Sequence, residues 1–199
     1  MSGVVVRCMR FGAIDVRIET PGDADAVVRE AELSGSAERG YWAHLWPAAV
    51  MLAGYVARTG LVTRGTRVLE IGCGVGLVGI VAALRGAEVV LTDYCDEAVA
   101  AAARNATLNG VDAAARKFDW RDEPDPAWDP GVLLGADVLY FEESHGAIAR
   151  LIARLGCVAI LGYPNRPATA EAAGVFGEEG LRVWGAAAES GRVLLAQAR

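Results

Sequence analysis

The chain alternates between short apolar segments and longer segments with helical periodicity from about residue 44 onward. Short apolar runs are typical of buried strands, whereas apolar residues three or four positions apart are typical of amphipathic helices. The predicted strands are Arg67–Ile71, Glu88–Thr92, Ala113–Phe118, Val132–Ala136 and Cys157–Leu161. The predicted helices are His44–Arg58, Leu77–Arg85, Glu97–Leu108, Ser144–Leu155 and Ala168–Glu179. This alternation predicts βαβ units and a parallel sheet.

The two ends of the chain depart from this pattern. Leu181–Ala187 and Arg192–Gln197 flank the turn residues Glu189-Ser190-Gly191 and predict an antiparallel hairpin. Near the N-terminus, Val4–Arg10 and Ile14–Glu19 predict two short strands, which a short helix and a polar connector follow. We therefore expect an α/β fold with a doubly wound, mostly parallel, seven-stranded Rossmann-like sheet and a C-terminal antiparallel hairpin.

The length of 199 residues fits one domain. We assign residues 1–40 to an N-terminal lead-in and residues 41–199 to the domain proper. Although 53% of the residues are hydrophobic, the longest apolar run is far shorter than the roughly 18 residues that a membrane helix needs. The sequence therefore predicts neither a membrane span nor a signal peptide.

The net charge and the small numbers of cysteines and histidines disfavour some classes of function. The net charge is −6 and Lys117 is the single lysine, whereas proteins that bind nucleic acids usually carry a basic surface. This excess of negative charge disfavours a nucleic acid as the partner and is consistent with a cationic substrate. Four cysteines without a C-x-x-C pair and only two histidines predict no metal site, and we interpret the cysteines as reduced thiols of a cytoplasmic protein.

The strongest motif is a glycine-rich turn that joins the predicted strand Arg67–Ile71 to the helix Leu77–Arg85. Glycine lets the backbone turn tightly and approach a ligand closely, and a helix N-terminus adds free N–H donors. In an open α/β sheet, such a turn lies at the ligand-binding crevice.

This turn alone leaves three interpretations open. Gly74-Val75-Gly76-Leu77-Val78-Gly79 matches the dinucleotide fingerprint, and Asp93 follows Gly74 by 19 residues, close to the roughly 20 expected of a ribose-binding acid. An NAD-dependent oxidoreductase and a purely structural turn are therefore alternatives. S-adenosylmethionine is favoured because Glu70 precedes the glycines, the chain ends in a hairpin, and no second domain exists to hold a hydride acceptor.

Five ordered segments together resemble the seven-β-strand S-adenosylmethionine-dependent methyltransferases, and more narrowly the small protein-lysine methyltransferase branch. That branch includes the enzyme that modifies the electron transfer flavoprotein β-subunit. The segments are Tyr41–Ala49, Leu69–Gly76, Leu91–Tyr94, Phe118–Arg121 and Gly135–Tyr140. One departure is Tyr163, because the resemblance places an acid at that position.

The resemblance implies S-adenosylmethionine as the methyl donor and assigns roles to individual residues. Trp46 lines the donor pocket, Asp93 accepts hydrogen bonds from the ribose, and Asp119 or Trp120 lies against the adenine. Asp137 and Tyr140, from the D-x-x-Y motif, lie beside the transferred methyl group. The full set of implied donor-binding residues is Trp46, Glu70, Gly72, Cys73, Gly74, Asp93, Asp119, Trp120 and Ala136.

The expected reaction is methyl transfer to nitrogen, with the enzyme aligning the acceptor, the methyl group and the sulfur. We expect Asp137 and Tyr140 to hold an amine acceptor as the catalytic residues. A lysine side chain of a protein is the preferred acceptor, because the short lead-in offers little material for a lid. A small amine or pyridine is the alternative. An amino methyltransferase of nucleic acids is disfavoured, because Asp137-Val138-Leu139-Tyr140 lacks the prolines of that class.

Overall fold

The structure is a computed structural model that describes residues 3–164, 167–188 and 191–198. Its strands are Val4–Phe11 (β1), Ile14–Pro21 (β2), Arg67–Ile71 (β3), Glu88–Asp93 (β4), Ala113–Lys117 (β5), Val132–Ala136 (β6), Val158–Tyr163 (β7), Leu181–Ala188 (β8) and Gly191–Ala198 (β9). Its α-helices are Ala24–Leu33 (α1), Pro47–Arg58 (α2), Leu77–Leu84 (α3), Asp96–Leu108 (α4), Glu142–Leu155 (α5) and Pro167–Glu178 (α6). A 3₁₀ helix spans Ala37–Ala43.

Seven strands form one sheet in the order β5-β4-β3-β6-β7-β9-β8. The first five are parallel to one another, and β9 is antiparallel to both β7 and β8. This arrangement confirms the predicted α/β class, the mostly parallel sheet and the C-terminal hairpin. The predicted turn residues Glu189 and Ser190 lie outside the described residues.

The strand order reverses direction between β3 and β6, and this reversal positions the site. From β3 the chain proceeds outward through β4 to β5, and then returns to place β6 on the other side of β3. Ligands of doubly wound sheets bind at such a switch point, in the crevice at the carboxyl ends of the strands. The glycine turn after β3 and Asp137 after β6 therefore open into the same crevice.

Both faces of the sheet are covered by apolar side chains, because alternate residues of a strand point to opposite faces. In β3, Val68 packs with residues of α2, α3 and α4, while Leu69 and Ile71 pack with residues of α5 and α6. Glu70 shares the face of Val68 and is 1% exposed. A carboxyl group is thus placed directly beneath helix α3.

The N-terminal strands β1 and β2 pair with each other as a separate antiparallel sheet. Val16 and Ile18 of β2 are buried in the same apolar cluster as α3 and α4, whereas Val4, Val5 and Val6 of β1 are exposed. The lead-in therefore contributes buried side chains of β2 to the core, and Met9 and Phe11 of β1 pack partly buried against it. Among the described residues, no helix combines the length and hydropathy needed to span a membrane.

Helix α2 begins three residues later than the predicted start at His44. Pro47 is its first residue, and Trp46 before it has an extended backbone, with φ −65° and ψ 141°. Proline suits the first turn of a helix but disfavours helical backbone in the residue before it. The preceding connector is also more ordered than predicted, since Ala37–Ala43 forms the 3₁₀ helix.

Helix α3 lies so close to the sheet that only glycine fits at residue 79. A Cβ atom at Gly79 would lie 2.3 Å from Cδ2 of Leu91 and 2.5 Å from Oε2 of Glu70. We expect Gly79→Ala to lower the free energy of unfolding by about 1–3 kcal/mol, the usual cost of overpacking, as measured by urea denaturation.

Gly174 of α6 provides the matched control, because a Cβ atom there would meet nothing within 4 Å. Gly174→Ala should be neutral or should stabilise by up to about 1 kcal/mol, since alanine has the higher helix propensity. Equal stability of the Gly79→Ala variant and the wild type would contradict the close packing of α3 on Leu91 and Glu70.

Candidate active site

A cavity of about 400 Å³ lies at the carboxyl ends of β3, β4 and β6. The 3₁₀ helix and the start of α2 close its other side. Predicted site residues that line it are Trp46, Glu70, Gly72, Cys73, Gly74, Asp93, Trp120, Ala136, Asp137 and Tyr140. The structure therefore brings residues that the sequence places far apart into one cavity, and their roles in binding and catalysis stay predictions.

The glycine turn adopts a backbone that other residues rarely adopt. Gly72, Gly74 and Gly76 have φ values of +57°, +52° and +85°. A Cβ atom at Gly72 would also lie 2.9 Å from Cγ1 of Val138 and 3.2 Å from the ring of Trp120. Glycine is required here both by conformation and by the close approach of neighbouring side chains.

Glu70 attaches this turn to the helix that follows it. Its Oε2 accepts a hydrogen bond of 2.8 Å from the backbone N–H of Gly79, and the side chain is fully buried. Burial and, to a smaller extent, the nearby charge of Asp93 raise the pKa of Glu70 to about 8, against the lowering effect of the Gly79 amide. The carboxyl group thus organises α3 while it borders the cavity.

Asp93 holds the turn from the end of β4. Its Oδ2 accepts from the N–H of Gly74 at 3.0 Å, and its Oδ1 accepts from the N–H of Cys95 at 3.0 Å. Burial raises the pKa of Asp93, while these amide hydrogen bonds lower it. Each carboxylate oxygen can accept a further hydrogen bond, so the predicted contact with ribose hydroxyls is compatible with both backbone bonds.

Asp137 has an unusual backbone. Among the described residues it is the only non-glycine residue with positive φ, at +56°. Its N–H donates to the carbonyl oxygen of Gly162 at 2.8 Å, and the residue is 8% exposed. A left-handed backbone costs a non-glycine residue about 1–2 kcal/mol, and such strain often occurs at functional sites. The turn after β6 is thus held in a conformation that presents Asp137 to the cavity.

Tyr140 lies where the cavity meets an adjoining cavity of about 330 Å³. Its ring centroid lies 6.1 Å from that of Tyr41 and 4.5 Å from that of Phe141. Burial raises the pKa of the Tyr140 hydroxyl above its usual value. The hydroxyl is therefore protonated at neutral pH and can both donate and accept a hydrogen bond.

Asp119 and Trp120 are separated by the structure. Trp120 lines both cavities, whereas Asp119 lines only the adjoining one. Both carboxylate oxygens of Asp119 accept hydrogen bonds from Arg121, and these bonds lower the pKa of Asp119. Of the two residues expected against the adenine, Trp120 therefore lies closer to the glycine turn.

Aromatic side chains around Trp46 form one wall of the cavity, and this aromatic wall was not predicted from the sequence. Trp46 donates from Nε1 to the carbonyl oxygen of Tyr41 at 2.9 Å, and the Tyr41 ring packs edge-on against Trp46 at a centroid distance of 5.9 Å. The further aromatic lining residues are Trp42, Tyr94 and Phe141. Tyr41 and Trp42 belong to the same motif segment as Trp46, and this shared segment could have indicated that they line the cavity.

The adjoining cavity combines aromatic rings with exposed carboxylates. Glu38 and Glu143 line it beside Tyr94, Trp120 and other aromatic residues. A cation is attracted both by carboxylates and by the faces of aromatic rings. Tyr163, where an acid was expected, ends β7 and is not among the residues that line either cavity; Asn165 and Arg166 after it lie outside the described residues.

The sheet topology and the glycine turn after β3 define a Rossmann-like fold of the methyltransferase type. The solved structure of the T. Thermophilus 16S rRNA N2 G1207 methyltransferase RsmC, in complex with AdoMet and guanosine, matches it with a TM-score of 0.70. That match covers 98% of this chain and 51% of RsmC at 20% sequence identity, so it establishes the fold alone.

Residues 29–162 match the lysine methyltransferase family, and the chain belongs to that family. Protein N-lysine methyltransferase METTL21A of Danio rerio is 35% identical over 122 residues, which cover 58% of this chain and 56% of that protein. The electron transfer flavoprotein beta subunit lysine methyltransferase of Danio rerio is 39% identical over 72 residues, which cover 36% and 28%. The alignments thus span about half the length of METTL21A and less of the second relative.

The buried carboxyl group of Glu70 makes the stability of the ligand-free protein depend on pH. Because the folded-state pKa of about 8 exceeds the ordinary value of 4.5, the folded state binds this proton more tightly than the unfolded state does. The contribution of Glu70 to stability is complete below about pH 4.5 and is lost as the pH rises through about 8.

Glu70→Gln should remove this component, because the amide oxygen can still accept from Gly79 but does not ionise. Urea unfolding between pH 5 and pH 9 should show a smaller decline in unfolding free energy for the variant than for the wild type. Parallel curves for the two proteins would mean that Glu70 does not carry this titration.

Proposed function

We propose that the protein is an S-adenosylmethionine-dependent N-methyltransferase that methylates lysine side chains of a protein substrate. One observation carries the proposal. In a chain of the lysine methyltransferase family, a single cavity joins the glycine turn and Asp93 to Asp137 and Tyr140. Donor and acceptor groups can therefore meet in one cavity.

The charge of the cavity supports this donor over a dinucleotide. Its acidic lining residues are Glu38, Glu70, Asp93 and Asp137, and none of the described residues that line it is lysine or arginine. A sulfonium donor brings positive charge and ribose hydroxyls, which complement the carboxylates of this lining; Glu70, with a pKa of about 8, is mostly protonated at neutral pH and adds little charge. The pyrophosphate of NAD would instead add negative charge, with no described basic side chain to offset it.

The residues around the donor half fit its separate parts. In this proposal Asp93 accepts from ribose hydroxyls, and the adenine packs on the apolar surface of Trp120 and Val138, which line the same cavity. When bound, the donor supplies a methyl group on a sulfonium, with a neutral thioether as the leaving group. The protein's own contribution is to fix the acceptor in line with that bond.

The acceptor nitrogen must be neutral when it reacts. A lysine ammonium has an ordinary pKa near 10.4, and the aromatic surroundings of Tyr41, Tyr140 and Phe141 disfavour the charged form through desolvation. The proton leaves to water through the open adjoining cavity. Asp137 and the Tyr140 hydroxyl then accept hydrogen bonds from the amine and orient its lone pair.

The adjoining cavity favours a protein substrate over a small amine. It shares Tyr140 and Phe141 with the main cavity and carries the exposed carboxylates Glu38 and Glu143 beside the Asp119–Arg121 ion pair. A long cationic side chain on a protein surface would cross this space before it reached Tyr140.

The proposal is tested by incubating the protein with S-adenosylmethionine labelled in the methyl group and a cell lysate. We expect label in protein, release of that label by protease treatment, and methyl-lysine after acid hydrolysis. Label confined to small solutes would assign a small-molecule acceptor instead, and methyl-arginine would assign a different side chain. A protein that binds NAD but not S-adenosylhomocysteine in calorimetry would refute the donor.

Asp137 and Tyr140 should affect methyl transfer rather than donor binding. Asp137→Asn keeps the size of the side chain and tolerates the left-handed backbone, but it loses the charge. We expect it to lower kcat and kcat/KM together by at least about tenfold, as is usual for an interaction made mainly in the transition state. The affinity for S-adenosylhomocysteine should stay within about twofold of wild type, since neither residue is assigned to the ribose or adenine.

Tyr140→Phe is the graded comparison, because it retains the ring that shapes the cavity and removes one hydroxyl. Its loss of transfer should be smaller than that of Asp137→Asn. The transfer assay uses the protein that becomes labelled in the lysate, and circular dichroism checks that both variants fold. Wild-type transfer by a folded Asp137→Asn variant would exclude Asp137 from the reaction.

A further inference from the structure

Asn105 lies on α4 with no exposed surface, and all of its polar atoms are used. Its Oδ1 accepts from the N–H of Glu19 at 2.8 Å, and its Nδ2 donates to the carbonyl oxygen of Glu19 at 3.0 Å. The same Nδ2 donates to the carbonyl oxygen of Val75 at 3.0 Å. One side chain thus joins strand β2 of the N-terminal hairpin to the glycine turn.

Asn109 makes a parallel set of bonds one helical turn later. Its Oδ1 accepts from the N–H of Arg17 at 2.9 Å, and its Nδ2 donates to the carbonyl oxygen of Arg17 at 2.6 Å. Residues four apart on a helix share a face, and residues two apart on a strand do so too. The two asparagines therefore both hydrogen-bond to the backbone along one edge of β2, but only Asn105 also donates a hydrogen bond to the glycine turn.

The glycine turn is supported by α4 at the same point. Val75 lines the cavity and is 3% exposed. A Cβ atom at Gly76, the next residue, would lie 3.2 Å from Cβ of Ala102 on α4. Helix α4 thus contacts both the N-terminal hairpin and the glycine turn.

The hairpin β1–β2 precedes residues 29–162, which are the part of the chain that matches the family. Its buried side chains Val16 and Ile18 belong to the same apolar cluster as Val75. The hairpin is therefore attached to the donor half of the site by apolar packing and by the hydrogen bonds of Asn105.

We infer that Asn105 is a positioning residue that couples the N-terminal hairpin to the donor-binding turn, so that hairpin docking and donor binding stabilise each other. This inference rests on the proposed donor site. The carbonyl groups of Val75 and Glu19 share one buried amide donor, and leaving either without it costs free energy. Displacement of the hairpin therefore also perturbs the turn. Because such coupling is reciprocal, ligand binding at the turn must strengthen hairpin docking to the same extent.

Hydrogen exchange of the wild-type protein tests the coupling directly. Addition of saturating S-adenosylhomocysteine should slow exchange of the backbone amides of Arg17 and Glu19 by at least about fivefold, the lower end of typical coupling between sites. If S-adenosylhomocysteine binds and these amides exchange at an unchanged rate, the inference is overturned while the proposed donor site stands. If S-adenosylhomocysteine does not bind, the proposed function itself fails.

Asn105→Ala and Asn109→Ala form a matched pair of variants. Both release β2 from α4, but only Asn105→Ala removes the bond to Val75. We expect Asn105→Ala to weaken S-adenosylhomocysteine binding by at least about fivefold and to abolish the ligand-dependent protection of Glu19. Asn109→Ala should retain wild-type affinity and most of that protection. Equal affinities for S-adenosylhomocysteine in the two folded variants would mean that Asn105 has only a structural role. If Asn105→Ala does not fold, the hydrogen-exchange result for the wild-type protein decides whether the hairpin and the turn are coupled.

Discussion

The site depends on buried polar side chains that satisfy the backbone of the glycine turn and of helix α3, which follows it. Glu70 on β3 accepts from Gly79, Asp93 on β4 accepts from Gly74, and Asn105 on α4 donates to Val75. A turn with three glycines at positive φ has no side chains of its own to pack. Its conformation must therefore be imposed by neighbours, and each neighbour acts through a hydrogen bond shielded from water.

The opposite half of the cavity, around Asp137 and Tyr140, obtains its order in another way. There the backbone itself is strained at Asp137, and its N–H is fixed by the carbonyl oxygen of Gly162. The two halves touch where Val138 and Trp120 approach the Cα of Gly72. A displacement of the turn after β6 would thus alter the packing of the glycine turn, although the two lie more than 60 residues apart in the sequence.

The sequence predicts those parts of the molecule that depend on local pattern. Strand β3, the glycine turn and the position of Asp93 all follow from apolar runs and spacing, and the resemblance places Asp137 at the end of β6. What it misses depends on long-range contacts. The bonds of Asn105 span 86 and 30 residues, and nothing in the alanine-rich segment around it distinguishes this asparagine from a surface residue. Likewise, only one residue separates Asp119 from Arg121, to which it is hydrogen-bonded, but only the fold shows that this pair lies in the adjoining cavity.

The distribution of charge creates a conflict that the aromatic wall can resolve. Carboxylates at the acceptor end attract an ammonium but also stabilise its charged, unreactive form. If carboxylates alone formed the path, the lysine would arrive and stay protonated. Glu38 lines both cavities and Glu143 lines the adjoining one, and both are exposed to solvent, which screens their charge, whereas the rings of Tyr140 and Phe141 lie where the two cavities meet. For the proposed lysine acceptor, the exposed carboxylates would attract the ammonium, and desolvation among the aromatic rings would favour the loss of its proton. Asp137, which is 8% exposed, would gain a hydrogen bond from the amine of the proposed lysine acceptor, and this bond would help to offset the cost of its burial.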